Sequence, residues 1–515
     1  MRLRELISTL LILALLCVPA HAHGDEEPPP APGTEVVPSG TTEPVTPTEE
    51  PPPEERPPTV WSANGTFQIL GESWNWFNPQ NGLENDYSYL SMRLRGRLRV
   101  EGPKFYALAE VQEVQQLGLP TRAIGPAPIG QMGLGALYFA HALRPSINTA
   151  GVRQAYLRFG EADKSRLQIG RFDYASGVEV MTGDPILDWI KRERIKNRLI
   201  GIFEYTAYDR SFDGLRLDAD SAEGHLTAFA ARPTQGGTEP HFATEITKIF
   251  IGDLSYTFKS PNSPPDYEAQ LFWVRYDDGR DVPMVDNRPP TLRGRVNTQG
   301  GLHINTLGFH YVTRLGAQGD FLAWYAHQMG KWGTQNQAAD AFTVEAGYRI
   351  PDLPWRPWVR AGFAQFSGDG NPLDNTHSTF LSPLPTVRVF ARLPYYTMSN
   401  ARDVYAQLIL SPSRQTTLRS ELHFVSLATP QDLWYTGSGA TQGQGINGYA
   451  GRPSGGSSGL GTLLDLSVEH RFDPDNLLVL YAGHVFGGGV QKNIYPGSPA
   501  NWIFLDYSVR FGAPQ

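Results

Sequence analysis

The chain has 515 residues, a formal net charge of -8 and one cysteine. That cysteine is Cys17, near the start, so nothing downstream can form a disulfide, a cysteine nucleophile or a thiolate metal site. No apolar run after residue 22 is long enough for a membrane-spanning helix, so any membrane crossing must use strands.

In chain order, Arg2 and Arg4 form a basic start, Leu6 to Val18 an apolar stretch, and Ala20-His21-Ala22 a small-residue cleavage pattern. Residues 1–22 therefore read as an export signal, since the apolar run is short for a transmembrane anchor. Residues 23–57 are rich in proline and glutamate, with nine acids against Arg56, and so account for a charge of -8. Such a segment buries too little apolar surface to offset its ordering entropy, and a disordered acidic periplasmic tail is expected. Periplasmic export partners are expected to engage the chain, if at all, through this tail.

From Trp61 onward, short stretches of period two alternate with Gly, Pro, Asn and Asp clusters. Strands are expected at 63–70, 87–101, 105–115, 151–160, 165–172, 212–219, 224–232, 248–259, 267–276 and 303–313. They continue at 320–329, 341–350, 357–366, 386–393, 402–411, 415–426, 461–472, 476–486 and 502–511. So many evenly spaced strands fit one closed sheet, which has no exposed edges, better than a sandwich. The class is all-β: a transmembrane antiparallel up-and-down barrel over 58–515. Aromatics at 11% and 53 glycines agree. A mean hydropathy of -0.33 is compatible, because only alternate side chains of a wet barrel meet lipid. Long connections at 116–150, 173–211, 277–302, 367–385 and 427–460 are expected outside the cell or folded into the lumen.

The most informative strand is 89–101. Leu90, Met92, Leu94, Leu98 and Val100 share one face, and Arg93, Arg95, Arg97 and Arg99 the other. Arginine facing lipid costs about 2–4 kcal/mol at the bilayer midplane, so these four should face an aqueous lumen. Similar alternation sets Leu418, Leu422 and Phe424 against Arg419, Glu421 and His423, and Val387, Val389, Ala391 and Leu393 against Arg388 and Arg392. Of the 44 basic residues only eight are lysines. Arginine's planar fork suits carboxylates. Two readings of the ladder stand: a path for an anion, or bracing by lumen carboxylates such as Glu110, Glu113, Glu345 and Glu421. Tyr156, Tyr405 and Tyr481 are either stacking surfaces for sugar rings or packed wall.

Asp369, Asn371 and Asp374 could supply oxygen ligands to Ca²⁺, although the same residues suit turn chemistry. No other cofactor is expected. His423, His470 and His484 stand in no recognisable nucleophile context, so an enzyme is not expected. Nor is a nucleic-acid partner.

Gly368-Asp369-Gly370-Asn371-Pro372-Leu373-Asp374, followed by Thr379-Phe380 and Leu384-Pro385-Thr386, resembles the alginate export family of outer-membrane porins. Ala406-Gln407-Leu408-Ile409-Leu410-Ser411-Pro412, Leu418-Arg419 and Asp432-Leu433-Trp434-Tyr435 extend the resemblance. So do Arg153-Gln154-Ala155-Tyr156-Leu157, Ile169-Gly170-Arg171, Phe212-Asp213-Gly214-Leu215-Arg216 and Gly483-His484-Val485-Phe486-Gly487-Gly488. The resemblance implies a barrel of about eighteen strands in the bacterial outer membrane. It also implies an arginine-rich constriction that passes an anionic polysaccharide outward, and it singles out Arg153, Arg171, Arg216, Arg388 and Arg392. The alternatives are a general or anion-selective porin for small anions or other organic solutes, a lipid-modifying barrel enzyme, and a structural or adhesive protein in contact with outer-membrane lipid.

Overall fold

The computed structural model describes residues 59–161, 164–384, 390–437 and 450–512. The expected signal at 1–22, the tail at 23–57 and Arg388 lie outside the described residues.

Eighteen antiparallel strands close into one barrel. They are β1 (Val60–Asn75), β2 (Asp86–Gly102), β3 (Phe105–Leu117), β4 (Ser146–Gly160), β5 (Ser165–Phe172), β6 (Phe212–Asp220), β7 (Gly224–Pro233), β8 (Ile249–Lys259) and β9 (Tyr267–Asp278). There follow β10 (Leu302–Leu315), β11 (Gly319–Trp332), β12 (Gln335–Arg349), β13 (Trp358–Phe366), β14 (Ala401–Leu410), β15 (Thr416–Ser426), β16 (Gly459–Arg471), β17 (Asn476–Gly487) and β18 (Pro499–Gly512). Each strand pairs with the next, and β18 returns to β1 with Gly512 opposite Asn64 and Asn501 opposite Asn75. Closure leaves no row of unpaired backbone groups, which a lipid environment requires. A two-residue segment, Thr376–His377, adds to β12 in parallel.

Turns such as 103–104, 221–223 and 316–318 close one end, and the long connections 118–145, 173–211, 234–248 and 279–301 gather at the other. The period-two pattern sets the faces, because successive Cβ atoms point to opposite sides of a strand. On β2, Leu94 and Leu98 are 43% and 47% exposed on the outside, while the side chains of Arg93, Arg95 and Arg97 reach partners inside. On β9, Leu271 and Trp273 face out and Glu268, Gln270, Phe272 and Val274 are buried inward.

One register irregularity matters. Opposite Glu110 and Val111 of β3, β4 carries an extra residue, and Arg153 and Gln154 are buried side by side. A bulge of this kind re-aims a side chain that regular pleating would send outward. Here it turns Arg153 into the lumen.

Two expectations are corrected. Residues 390–393 form no strand: Phe390, Ala391 and Leu393 pack against inward-facing residues within the barrel's interior, so their apolar alternation marks an infolded loop and not a lipid face. Glu113 lies three residues from the inward Glu110 on an unbulged strand, so it points outward and is exposed. The interior is also less aqueous than the alternation suggests. Infolded loops meet inward aromatics in a continuous apolar cluster that includes Trp74, Tyr174, Trp324, Phe366 and Trp502.

Candidate functional site: the luminal passage

The 173–211 connection folds into the barrel instead of projecting from it. Asp184 caps a short helix (Pro185–Ile190) by accepting hydrogen bonds from the amides of Ile186 and Leu187, with Pro185 at the first helical position. The helix widens into a π turn over Lys191–Ile195, a form that re-phases side chains relative to an α-helix. Eight residues, 191–198, thereby bring Lys191, Arg192, Arg194, Lys196 and Arg198 into the lumen region.

Wall carboxylates hold this segment. Lys191 pairs with Glu268 of β9. Arg194 donates from Nε to both oxygens of Glu345 on β12 at 3.1 and 3.0 Å, and Arg360 of β13 reaches the same carboxylate at 3.1 Å. Arg198 donates to Thr343 at 2.7 Å and lies 3.8 Å from Glu345. Arg314 of β10 holds Asp184 at 2.9 Å. At the far end of the loop, Asp209 accepts from Arg93 at 2.8 Å, Arg95 at 2.6 Å and Arg153 at 3.2 Å. Burial would push the Asp209 carboxyl up, but the guanidiniums of Arg95, Arg93 and Arg153 outweigh it and hold it at about 2.

Between this segment and residues 390–392 lies a cavity of about 180 Å³. Its wall contains Arg192, Arg194, Lys196, Arg392 and Arg419 against Glu193, Glu204 and Glu421, five cations to three carboxylates. A second cavity, walled by Arg93, Gln68 and Asp506, shares Glu204 and Tyr205 with the first. Burial raises the Glu193 carboxyl, yet Arg419 and Arg392 bring it below its ordinary value, so it stays charged beside them.

The arginines expected from the sequence divide by location. Arg93, Arg95 and Arg97 face inward and are paired, Arg97 with Glu110 at 2.6 Å. Arg99 donates to Ser62 at 3.0 Å near the short-turn end. Arg153 reaches Glu110 at 2.5 Å and Asp173 at 2.5 Å, and Arg216 reaches Asp218 at 2.8 Å while lying over the Tyr174 ring. Arg392 pairs with Glu469 at 2.6 Å and Arg419 with Glu193 at 2.7 Å. Arg171 is the exception. It shares the parity of the outward Leu167 and Ile169 and pairs on the outer face with Asp213 at 2.7 Å, so it does not line the lumen.

Tyr405 and Tyr481 are fully packed in the wall, and Tyr156 stacks on Tyr106. Asp369 accepts from the Asn371 amide at 3.0 Å, Asn371 from Leu373 at 3.4 Å and Asp374 from Thr376 at 2.7 Å, all turn contacts. Among the described residues no three His, Cys, Asp or Glu side chains cluster tightly enough to hold a metal. Sequence reasoning missed Lys191, Arg194, Arg198 and Asp209. The signal for the first three was present, because residues 191–198 hold five basic side chains inside a connection read only as a loop.

The family model for alginate export matches residues 70–498, from the middle of β1 to the start of β18. The chain belongs to the alginate export family. Among solved structures it resembles Pseudomonas aeruginosa OccK5 (OpdH), at 8% identity and a TM-score of 0.52 over 88% of this chain and 98% of that one. It also resembles Pseudomonas aeruginosa OccK9 (OpdG), at 9% and 0.53 over 88% and 98%, and Acinetobacter baumannii OccAB2, at 10% and 0.52 over 88% and 98%. At such identities the likeness concerns the fold. No curated protein matches the chain. This alginate export family member is thus a β-barrel porin of the bacterial outer membrane. In such porins the long-connection end is extracellular.

Proposed function

We propose that the porin passively exports an anionic, alginate-like polysaccharide through the cleft beside residues 191–198. The observation that carries this reading is the excess of guanidinium and ammonium groups over carboxylates in that cleft, in a family defined by alginate export. Among the ladder arginines, Arg93 and Arg95 are neutralised by Asp209 of the infolded loop and Arg97 by Glu110 of the wall. Each of the five lining cations has a carboxylate within 4 Å, and Arg192, 59% exposed and 3.8 Å from Asp188, is the one most open to a passing chain. Carboxylates of a passing chain would exchange counterions and water for these groups. Weak, repeated contacts permit sliding where one tight site would stall the polymer.

A second reading, passage of small anionic solutes, is favoured by the size of the cleft: 180 Å³ holds roughly six waters' volume. Single-channel recording in planar bilayers separates the two. Export predicts that an oligouronate added on the short-turn side interrupts the current in brief, voltage-dependent events, and that a neutral oligosaccharide of equal length does not. Current unaffected by the oligouronate would overturn the export reading.

A further inference from the structure

A separate cavity shares no lining residue with the cleft. It has a volume of about 530 Å³ and lies at the extracellular end, between the end of β1 and the connections that carry Leu134, Val285, Arg293 and Arg452. One wall is indole: Trp74 and Trp76 both line it. Trp74 is held rigidly, since its Nε1 donates to Glu72 at 3.1 Å and its ring stacks on Trp502 at 4.7 Å. The volume falls in the range typical of small-molecule sites, roughly 300–1,000 Å³.

The charge in this cavity differs from that of the lumen. Arg452 is 8% exposed and lies over the rings of Trp434 and Tyr495 at 5.2 and 5.8 Å. Its Nη2 donates to the Gln131 carbonyl at 3.0 Å, and its Nη1 has no hydrogen-bond partner among the described residues. Gly130, at φ +62°, leaves room for the guanidinium, because a Cβ there would stand 3.1 Å from Nη2. No carboxylate pairs with Arg452 or Arg293 among the described residues. A desolvated guanidinium N–H lacking an acceptor is a standing cost to the fold. Burial pushes this guanidinium below its ordinary value, as expected of a cation missing its counter-charge.

The geometry points to a binding site at the extracellular mouth for a carboxylated sugar ring, its apolar face on the partly buried Leu137, Val285 and Leu433 and its carboxylate on Arg452 and Arg293. The buried indoles of Trp74 and Trp76 back this wall and hold its shape. Arginine supplies the planar donor fork that a carboxylate fits. The choice of ligand rests on the proposed passage of an acidic polysaccharide, whereas the site itself rests on the cavity and its unpaired guanidiniums. Placed at the exit, it would hold one residue of an emerging chain and bias movement outward.

The test is calorimetric titration of the detergent-solubilised full chain with a tri-uronate and with a neutral trisaccharide. The wild type should bind the tri-uronate and not the neutral sugar. Arg452→Gln should weaken binding roughly tenfold or more, as loss of a charge-assisted hydrogen bond implies. Arg293→Gln, on a partly exposed side chain of a surface connection outside the barrel strands, should weaken it in the same direction. Arg171→Gln, on the outer face of the barrel, should leave the titration unchanged. The site is refuted if the wild type does not bind, if the neutral sugar binds equally, or if both mouth variants titrate as wild type. Weakening by Arg392→Gln alone would also refute it, while leaving the passage reading intact, because the ligand would then sit in the cleft.

Discussion

Glu345 is the carboxylate on which the infolded loop turns. It is 2% exposed, accepts two hydrogen bonds from Arg194 and one from Arg360, and lies 3.8 Å from Arg198. Glu345→Gln preserves shape and removes one negative charge from among three guanidiniums. Breaking a buried ion pair by neutralising one partner costs about 3–5 kcal/mol. The low end of that range would raise the population of the detached 185–199 segment roughly a hundredfold, at 1.4 kcal/mol per factor of ten. Lys191–Glu268 and Arg314–Asp184 remain as anchors, so the barrel itself should stay folded. Two readouts follow: faster amide hydrogen exchange over 185–199, and larger or noisier unit conductance in planar bilayers. Arg194→Gln should reproduce most of the effect, and the double variant should add little, because contacting groups are non-additive. Unchanged exchange in Glu345→Gln would refute the claim that wall carboxylates hold the loop in the lumen.

Three other outcomes follow from the same geometry. The Asp209 carboxyl is depressed from an ordinary 3.8 to about 2. Its stabilisation is therefore present above about pH 4 and lost as pH falls toward 2, so urea unfolding of Asp209→Asn should be flatter than wild type across that window. The Asp369 carboxyl goes the other way, to about 6, because burial and the charges of Asp432 and Asp374 outweigh the hydrogen bond from the Asn371 amide. Its contribution is full below about pH 3.8 and lost as pH rises through 6. Proteolysis of the 369–374 turn should accordingly be faster at pH 7.5 than at pH 4 in the wild type, with the difference reduced in Asp369→Asn. On the outer wall, Leu94→Arg, midway along β2, should destabilise the barrel in lipid vesicles by about 2–4 kcal/mol, measured by denaturant midpoint; an unchanged midpoint would contradict the assigned lipid face.

The barrel was legible because its signal is local and repeated. Leu94 and Leu98 against Arg95 and Arg97 fix the two faces of β2 without knowledge of any partner strand. Parity also held information that went unread. Glu110 and Glu113 differ by an odd number, so one strand cannot turn both inward, and Arg171 shares parity with Leu167 and Ile169. Residues 390–393 show what alternation cannot distinguish: an apolar face turned to lipid and one turned to an infolded loop have the same pattern. The cleft was less legible, because its charges come from the 191–198 turn, the 390–392 segment and β15, which only the closed barrel brings together. The bulge at Arg153 has no sequence signature, yet it decides where that guanidinium points.

The central claim is that inward basic groups beside residues 191–198 set the charge preference of the passage. Its most direct test is the reversal potential across a KCl gradient for the wild type, for Arg192→Gln combined with Arg392→Gln, and for Arg171→Gln. The account predicts an anion-selective wild type, a clear shift toward non-selectivity in the double variant, and no change in Arg171→Gln, whose side chain lies outside the barrel. A cation-selective wild type, or a double variant with the wild-type potential, would contradict it.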